Sequence, residues 1–227
     1  MSQPSGLPLA EQAFRRLRED IQDGRLTPGT RMVELDIAKR LAMSRTPIRE
    51  ALRRLEETGL ITQAPHRGLV VASLDMQAIN ELYEMREVLE GTAAELAARH
   101  ASAMDIAVLE RMVEKRPDPG TRPSLLADRN RAFHERIYHA SHNRYLLRAL
   151  SGLTDALVLL GPTTFQAPGR GGTAHAEHLE IVRAIARRDA VAAGERARAH
   201  IRAAYFVRVS MAGTDLQAPV ASGRHSD

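Results

Sequence analysis

The stretch MSRTPIREALRRLEETG, Met43 to Gly59, decides the fold of the first third of the chain. As a helix, at about 100° per residue, it gathers its apolar positions into a sector of about 100° with a row of arginines beside that sector. The apolar positions are Ile48, Ala51, Leu52 and Leu55, and the arginines are Arg45, Arg49 and Arg53. One side of this helix is therefore expected to pack on a core, while the neighbouring side can bind an anion.

The residues around this stretch predict a winged helix-turn-helix. A first helix is expected from Leu9 to Asp23, and a second from Glu34 to Leu41 that buries Leu35, Ala38 and Leu41. Ser44 is a suitable N-cap for the third helix, and Pro47 stands in its first turn, where a missing N–H costs little. Short β-type runs at 60–62 and 69–71 then form a hairpin whose turn lies within 63–68. In this layout the third helix enters the major groove of DNA.

The rest of the chain predicts a second, all-helical domain, so the fold class is mainly α. Helices are expected at 75–100, 102–115, 123–141, 144–160, 174–188 and 190–211, with a loop at 167–172. We place the winged domain at 9–72 and the helical bundle at 75–213. Residues 1–8 and 214–227 are small and polar, which predicts disordered tails.

Composition limits the cellular setting and the kinds of site. The 227 residues are 44% hydrophobic and only 4% aromatic, which suits helices packed through aliphatic side chains. The absence of cysteine excludes disulfides and thiolate metal sites and fits a reducing cytosol. Because neither a membrane span nor a signal peptide is evident, we expect a soluble cytoplasmic protein with no membrane partner. Of the net charge of +4, residues 1–74 carry +3, so the basic excess lies in the winged domain.

The run SRTPIREALRRLEETGLITQAPHRGLVVA resembles the DNA-binding signature of GntR-type bacterial transcription regulators. The helical remainder resembles the FCD effector domain of the fatty-acid-regulator branch, so the resemblance covers about residues 9 to 212. It implies a regulator rather than an enzyme, acting as a homodimer on double-stranded operator DNA. The second domain would bind the effector and form the dimer.

Four residues at the start of the third helix are placed to contact bases and phosphates: Ser44, Arg45, Thr46 and Arg49. Arg53 lies nearer the DNA backbone. The resemblance implies that the wing tip, formed by His66, Arg67 and Gly68, approaches the minor groove. Leu35 stands where some relatives carry a DNA-contacting arginine. From the residues alone, a winged helix that contacts protein through solvated arginines remains an alternative.

Three histidines on three predicted helices face the interior of the second domain. Asn130 and His134 share a stripe with Phe133 and Ile137, while His178 and His200 lie on other apolar faces. Imidazole binds zinc, nickel or copper well, although a hydrogen-bonded core histidine is the alternative reading. The resemblance implies a divalent ion, zinc or nickel above all, held by His134, His178 and His200 with an oxygen ligand at Asn130. Many relatives have aspartate there, and a neutral amide is a weaker donor.

Arg86 shares a face with Leu82, Tyr83 and Leu89 on the first helix of the second domain. A guanidinium in that place needs an anion. Glu90, four residues on, could supply it as an ordinary helical ion pair. Alternatively, Arg86 could bind the carboxylate of an effector such as a small organic acid or a sugar acid.

We therefore expect a ligand-responsive transcription regulator, a repressor that binds a palindromic operator as a homodimer. The competing hypothesis is a metal-dependent hydrolase with an accessory DNA-binding arm, in which Glu90 would be the only evident acid or base. A structural nucleoid-binding protein is a third possibility, but it would not need a histidine-lined core.

Overall fold

The computed structural model describes residues 6–215, and side chains as far as residue 211. Within them the chain forms two compact units. One contains the residues up to Leu89 together with Asn143–Thr163, and the other contains Glu90–His142 together with the residues from Thr164 onward.

The secondary structure confirms a mainly α fold with a small antiparallel wing. The helices are α1 (Leu9–Gln22), α2 (Glu34–Leu41), α3 (Arg45–Glu57), α4 (Met76–His100), α5 (Ala103–Val113), α6 (Pro123–Ala140), α7 (Arg144–Leu157), α8 (Arg170–Ala186) and α9 (Ala190–Asp215). Strands β1 (Ile61–Ala64) and β2 (Gly68–Val71) pair with Ile61 opposite Val71 and Ala64 opposite Gly68. Two single turns of 3₁₀ helix lie at Val158–Leu160 and Thr164–Gln166.

The core of the first unit forms where the apolar stripes of α1 and α3 meet. The buried side chains of these two helices include Ala13, Leu17, Ile21, Ile48, Ala51, Leu52 and Leu55. Leu60, Ile61 and Val71 of the wing close one side of this core. The stripe predicted for α3 is thus fully buried, and its arginine row is left at the surface.

The 3₁₀ turn after α7 belongs to this same core. Val158 is buried within it, and Leu159 packs against it. Arg18 of α1 also donates a hydrogen bond to Asp155 at 3.3 Å. Residues 143–163 therefore pack with the winged helix, whereas the sequence assigns them to the helical domain. The domain boundary near residue 73 remains a prediction.

The prediction that α2 buries Leu35 is wrong. Leu35 is 49% exposed, whereas Ile37 and Ala38 are buried. Ile37 and Ala38 together form the inner face of this helix. The centre of that face lies roughly a third of a turn around the helix from Leu35, so Leu35 points to solvent.

The second unit holds the three helices that carry the histidines. α5 begins with a capping box, in which Ser102 and Asp105 bond each other's backbone N–H groups. Asp105 also binds Arg136 of α6, so the start of α5 is fixed to that helix. α8 packs against both α5 and α9, and its buried residues include Ile181, Val182 and Ile185.

The loop predicted at 167–172 is shorter than expected, because α8 already begins at Arg170. Gly169 turns the chain with a φ of 76°, and two glycines form the first helical turn. A Cβ at Gly171 would lie 3.0 Å from Leu126, and one at Gly172 would lie 2.8 Å from Arg116. These glycines therefore allow close packing rather than mark a loop.

The disordered tails that the sequence predicts, 1–8 and 214–227, lie mostly outside the described residues. Only residues 6–8 and 214–215 of these tails are described, and the last two belong to α9. Among residues 6–215, the structure contains no helix with the length and apolar character that a bilayer crossing demands.

Candidate DNA-binding surface and metal centre

The predicted DNA-contacting residues of α3 all lie at the surface. The side chains of Arg45, Arg49 and Arg53 are 63%, 68% and 64% exposed. Ser44 occupies the N-cap position, but its hydroxyl makes no capping hydrogen bond, and Thr46 is exposed beside it. Hydroxyl and guanidinium donors are thus gathered at the N-terminal end of this helix.

Glu34, the first residue of α2, contacts two of these arginines. Its Oε1 accepts a hydrogen bond of 2.7 Å from Nε of Arg45. Arg49 donates from Nε to Oε2 at 3.1 Å and from Nη2 to Oε1 at 3.2 Å. The hydrogen bond from Arg49, and then that from Arg45, lowers the pKa of Glu34, so this carboxylate is ionised at neutral pH. Arg53 pairs instead with Glu57, one turn further along α3.

The wing tip is a tight and exposed turn. His66 and Gly68 have φ values of 59° and 73°, and Arg67 lies between them. Arg67 donates to the carbonyl of Gly29 at 3.3 Å, and its own carbonyl accepts from Arg31 at 3.0 Å. The tip is therefore tied to the segment that precedes α2.

The second unit brings together the three predicted histidines. His134 comes from α6, His178 from α8 and His200 from α9, and all three are buried. Nε2 of His200 lies 3.1 Å from Nε2 of His134 and 3.4 Å from Nε2 of His178. Within the described residues, this is the cluster whose ligand atoms lie close enough to share a metal ion.

Two carboxylates lie behind the imidazole rings. Glu90 Oε2 is 2.6 Å from Nδ1 of His134, and Glu177 Oε2 is 2.6 Å from Nδ1 of His200. Arg170, which is buried, donates to both oxygens of Glu177 at 2.9 Å. The contact of Glu177 with His200 is a hydrogen bond, and a carboxylate that accepts the Nδ1 proton leaves the Nε2 lone pair facing the centre of the cluster.

The surroundings of the third ring, His178, favour its neutral form. His178 stacks on Phe133 with 4.1 Å between ring centroids. Burial, reinforced by the neighbouring histidines, lowers the pKa of His178 well below its usual value. A neutral imidazole is the form that coordinates metals.

The donor set fits a metal ion. Two nitrogens at about 2.0–2.1 Å from a tetrahedral ion are about 3.3 Å apart, which is close to both separations seen here. His134 and His200 present their Nε2 atoms to each other, so a cation or a proton between them would be stabilised. Asn130, one turn before His134, is partly buried, and no described residue is hydrogen-bonded to its amide. Its oxygen is thus available as a weak further ligand.

In a hydrolase, Glu90 would have to face the open side of the metal site, where a water molecule reacts. Its carboxylate lies against Nδ1 of His134, on the far side of the ring from the cluster. A carboxylate in this place faces the back of the ring and not the centre of the cluster. Arg86 is buried at 8% exposure, with its guanidinium 4.9 Å from the ring centroid of Tyr83.

Sequence reasoning missed Glu34, Glu177 and Arg170. Their partners lie on other helices or seven residues away, so helical spacing gives no signal for them. The sequence marks Glu90 as a candidate acid or base but gives no signal for its contact with His134.

Comparisons with known proteins identify both domains of the chain. Residues 9–71 match the bacterial regulatory proteins of the gntR family, and residues 81–203 match the FCD domain. The regulator YdhC of Bacillus subtilis is 31% identical over 196 residues, covering 85% of this chain and 88% of YdhC. The repressor RspR of Escherichia coli is 36% identical over 91 residues, which is 40% of each chain.

A solved structure shows the same fold. E. coli McbR superposes with a TM-score of 0.74 at 22% identity, covering 91% of this chain and 99% of McbR. These matched domains and relatives are transcription regulators and not enzymes. The chain therefore belongs to the gntR family of bacterial regulatory proteins and is a DNA-binding transcription regulator with an FCD effector domain.

Proposed function

We propose that this regulator is a repressor that binds a palindromic operator as a homodimer and responds to a small organic acid through a metal site in its FCD domain. The observation that carries the proposal is the convergence of three buried imidazole nitrogens, two of them backed by carboxylates.

On the DNA side, the exposed end of α3 would enter the major groove. Arg45 and Arg49 would bind base edges, because a guanidinium can donate two parallel hydrogen bonds to guanine O6 and N7. Ser44, Thr46 and Arg53 would bind phosphates, and His66, Arg67 and Gly68 would reach the minor groove. One such helix reads only a few base pairs, so two copies related by a two-fold axis are needed for adequate specificity.

On the effector side, His134, His178 and His200 would hold one divalent ion, zinc or nickel, with the Asn130 amide as a weak fourth ligand. The bound ion would supply a positive centre for the carboxylate of an organic or sugar acid. Glu90 and Glu177 would fix the orientation of two of the rings. Arg86, which is buried, would be a second anchor for the acid, since a guanidinium can donate two parallel hydrogen bonds to a carboxylate.

Communication would run along α4. This helix follows the wing after only four intervening residues, and it carries both Arg86 and Glu90. An acid bound in the FCD domain would shift α4 and so change the separation of the two α3 helices in a dimer. The size of the response is limited by the difference in the acid's affinity for the DNA-bound and released states.

The proposal is tested with the full chain, an operator selected from random duplexes, and a pool of carboxylic and sugar acids. Fluorescence anisotropy of the zinc-loaded protein should show operator affinity changing with at least one acid in the pool. The variant His134→Ala/His178→Ala should bind the operator and lose that response. His139→Ala, which changes an exposed histidine of α6, is the matched control and should keep it. An unaltered response in the double variant, or none in the unmodified protein, would reject the metal-dependent mechanism.

A further inference from the structure

One carboxylate holds both exposed arginines in the first two turns of α3. Glu34 Oε1 accepts from Nε of Arg45 and from Nη2 of Arg49, while Oε2 accepts from Nε of Arg49. Glu34 belongs to α2, so the contact joins the two helices of the helix-turn-helix on its exposed side. The carboxylate is only 21% exposed, whereas both arginine side chains are more than 60% exposed.

We infer that Glu34 is a positioning residue for base recognition: it holds Arg45 and Arg49 in the orientation that reads DNA and suppresses binding to unrelated sequences. This inference rests on the proposed base-reading role of the two arginines.

The hydrogen-bond pattern leaves the reading ends of the guanidinium groups available. Glu34 takes only Nε of Arg45, and no other described residue binds the Nη1 and Nη2 atoms of that arginine. Those two nitrogens form the fork that can donate to guanine O6 and N7 together. Arg49 is held through Nε and Nη2, so its Nη1 remains for a base or a phosphate.

Holding the arginines in advance favours specific binding. A free arginine must be ordered when it binds a base, which reduces affinity by about twofold to tenfold for each side chain. An arginine already fixed by Glu34 avoids most of that loss, but only where the sequence presents the matching acceptors.

The same carboxylate should weaken binding to arbitrary DNA. Non-specific affinity depends on positive charge near the phosphates, and Glu34 offsets part of the charge of Arg45 and Arg49. Replacing Glu34 by a neutral residue should therefore raise affinity for any duplex while lowering the preference for the operator.

A mechanism in which Glu34 competes with DNA for the two arginines predicts the opposite change in selectivity. If Glu34 were an internal anion that must be displaced by the bases, its removal would strengthen operator binding more than non-specific binding. The ratio of the two affinities distinguishes positioning from competition.

The test compares the full-length protein with Glu34→Gln and with the matched control Glu57→Gln. Glu57 is an exposed carboxylate of α3 that pairs with Arg53, so both variants remove one charge from the same surface. Each protein is used to select duplexes from a random library, and affinities for the selected duplex and a scrambled duplex are measured at one salt concentration. Thermal unfolding by circular dichroism checks that each variant is folded.

For Glu34→Gln we expect tighter binding to the scrambled duplex and a loss of selectivity of about tenfold, roughly threefold at each half-site. The base preference should weaken at the positions that Arg45→Ala and Arg49→Ala also affect. Glu57→Gln should strengthen binding to both duplexes in parallel.

Equal selectivity in the two glutamate variants, or a higher selectivity in Glu34→Gln, would overturn the positioning role. If Arg45→Ala and Arg49→Ala leave the selected sequence unchanged, the proposed base contacts fail, and the inference fails with them. If those variants lose the preference while Glu34→Gln keeps it, only the role of Glu34 is refuted.

Discussion

Replacing Glu177 by glutamine removes the carboxylate that accepts the Nδ1 proton of His200 across 2.6 Å. Glutamine preserves the volume but is neutral and a weaker acceptor, so His200 becomes a poorer and less well oriented ligand. Loss of such an outer partner costs about 10-fold to 100-fold in metal affinity. Glu177 is 27% exposed, so water can replace part of the lost contact, and we expect about tenfold. Glu90 is only 3% exposed, so Glu90→Gln should approach 100-fold.

Zinc affinity can be measured by competition with a chromophoric chelator on the purified full chain. Glu180→Gln is the control, because Glu180 lies on the same helix and pairs with Arg183 at the surface. It should bind zinc like the unmodified protein. If all three variants bind zinc equally tightly, the carboxylates do not orient the histidines and the reasoning is refuted.

Further predictions concern the arginines of α3, Asp105 at the start of α5, and Asn130. Arg45→Ala or Arg49→Ala should cost about 1–3 kcal/mol per half-site in operator binding, whereas Arg53→Ala should weaken all duplexes alike and reduce the salt dependence; anisotropy titrations at several salt concentrations separate the two cases. Asp105, whose pKa is lowered from 3.8 to about 2 chiefly by its hydrogen bonds from Ser102, should contribute about 2 kcal/mol of stability above pH 4 that is lost as the pH falls to 2. Urea titrations of Asp105→Asn should show a lower free energy of unfolding at neutral pH and a smaller loss of that free energy between pH 4 and pH 2. The same free energy of unfolding at every pH in both proteins would contradict this. Asn130→Asp should tighten zinc binding, because it adds a charged oxygen donor. If the chelator competition shows no gain in zinc affinity, the side chain at position 130 is not a metal ligand.

Much of the fold could be predicted because its signals are local. The buried stripe of α3, the limits of α2 and the strands of the wing depend on periodicity and turn residues within each segment. The inward positions of His134, His178 and His200 follow from the same kind of reasoning, since each shares a face with apolar neighbours on its own helix.

The remaining features depend on contacts between segments that are distant in sequence. Leu35 is exposed because Ile37 occupies the inner face of α2, which packs against α3. Gly171 and Gly172 lie in the first turn of α8 and leave room for Leu126 and Arg116, a packing role that no local pattern reveals. Val158 joins the core of the winged helix from more than eighty residues beyond the wing, so a domain boundary drawn from composition cannot anticipate it.

The same distinction applies within the candidate sites. The arginines of α3 could be recognised from their spacing, but the carboxylate of Glu34 that joins them comes from α2. The histidines could be recognised one at a time, but the contact of Glu177 with His200 exists only when α8 packs against α9.

Metal content of the full chain is the measurement that bears most directly on the function proposed for the FCD domain. The protein is incubated with zinc, freed of excess metal by gel filtration and analysed by inductively coupled plasma mass spectrometry, alongside His134→Ala/His178→Ala and the control His139→Ala. We expect about one zinc ion per chain in the unmodified protein and in His139→Ala, and almost none in a double variant that still unfolds cooperatively. Absence of bound zinc in the unmodified protein, or equal zinc in the double variant, would contradict a metal centre at these three histidines.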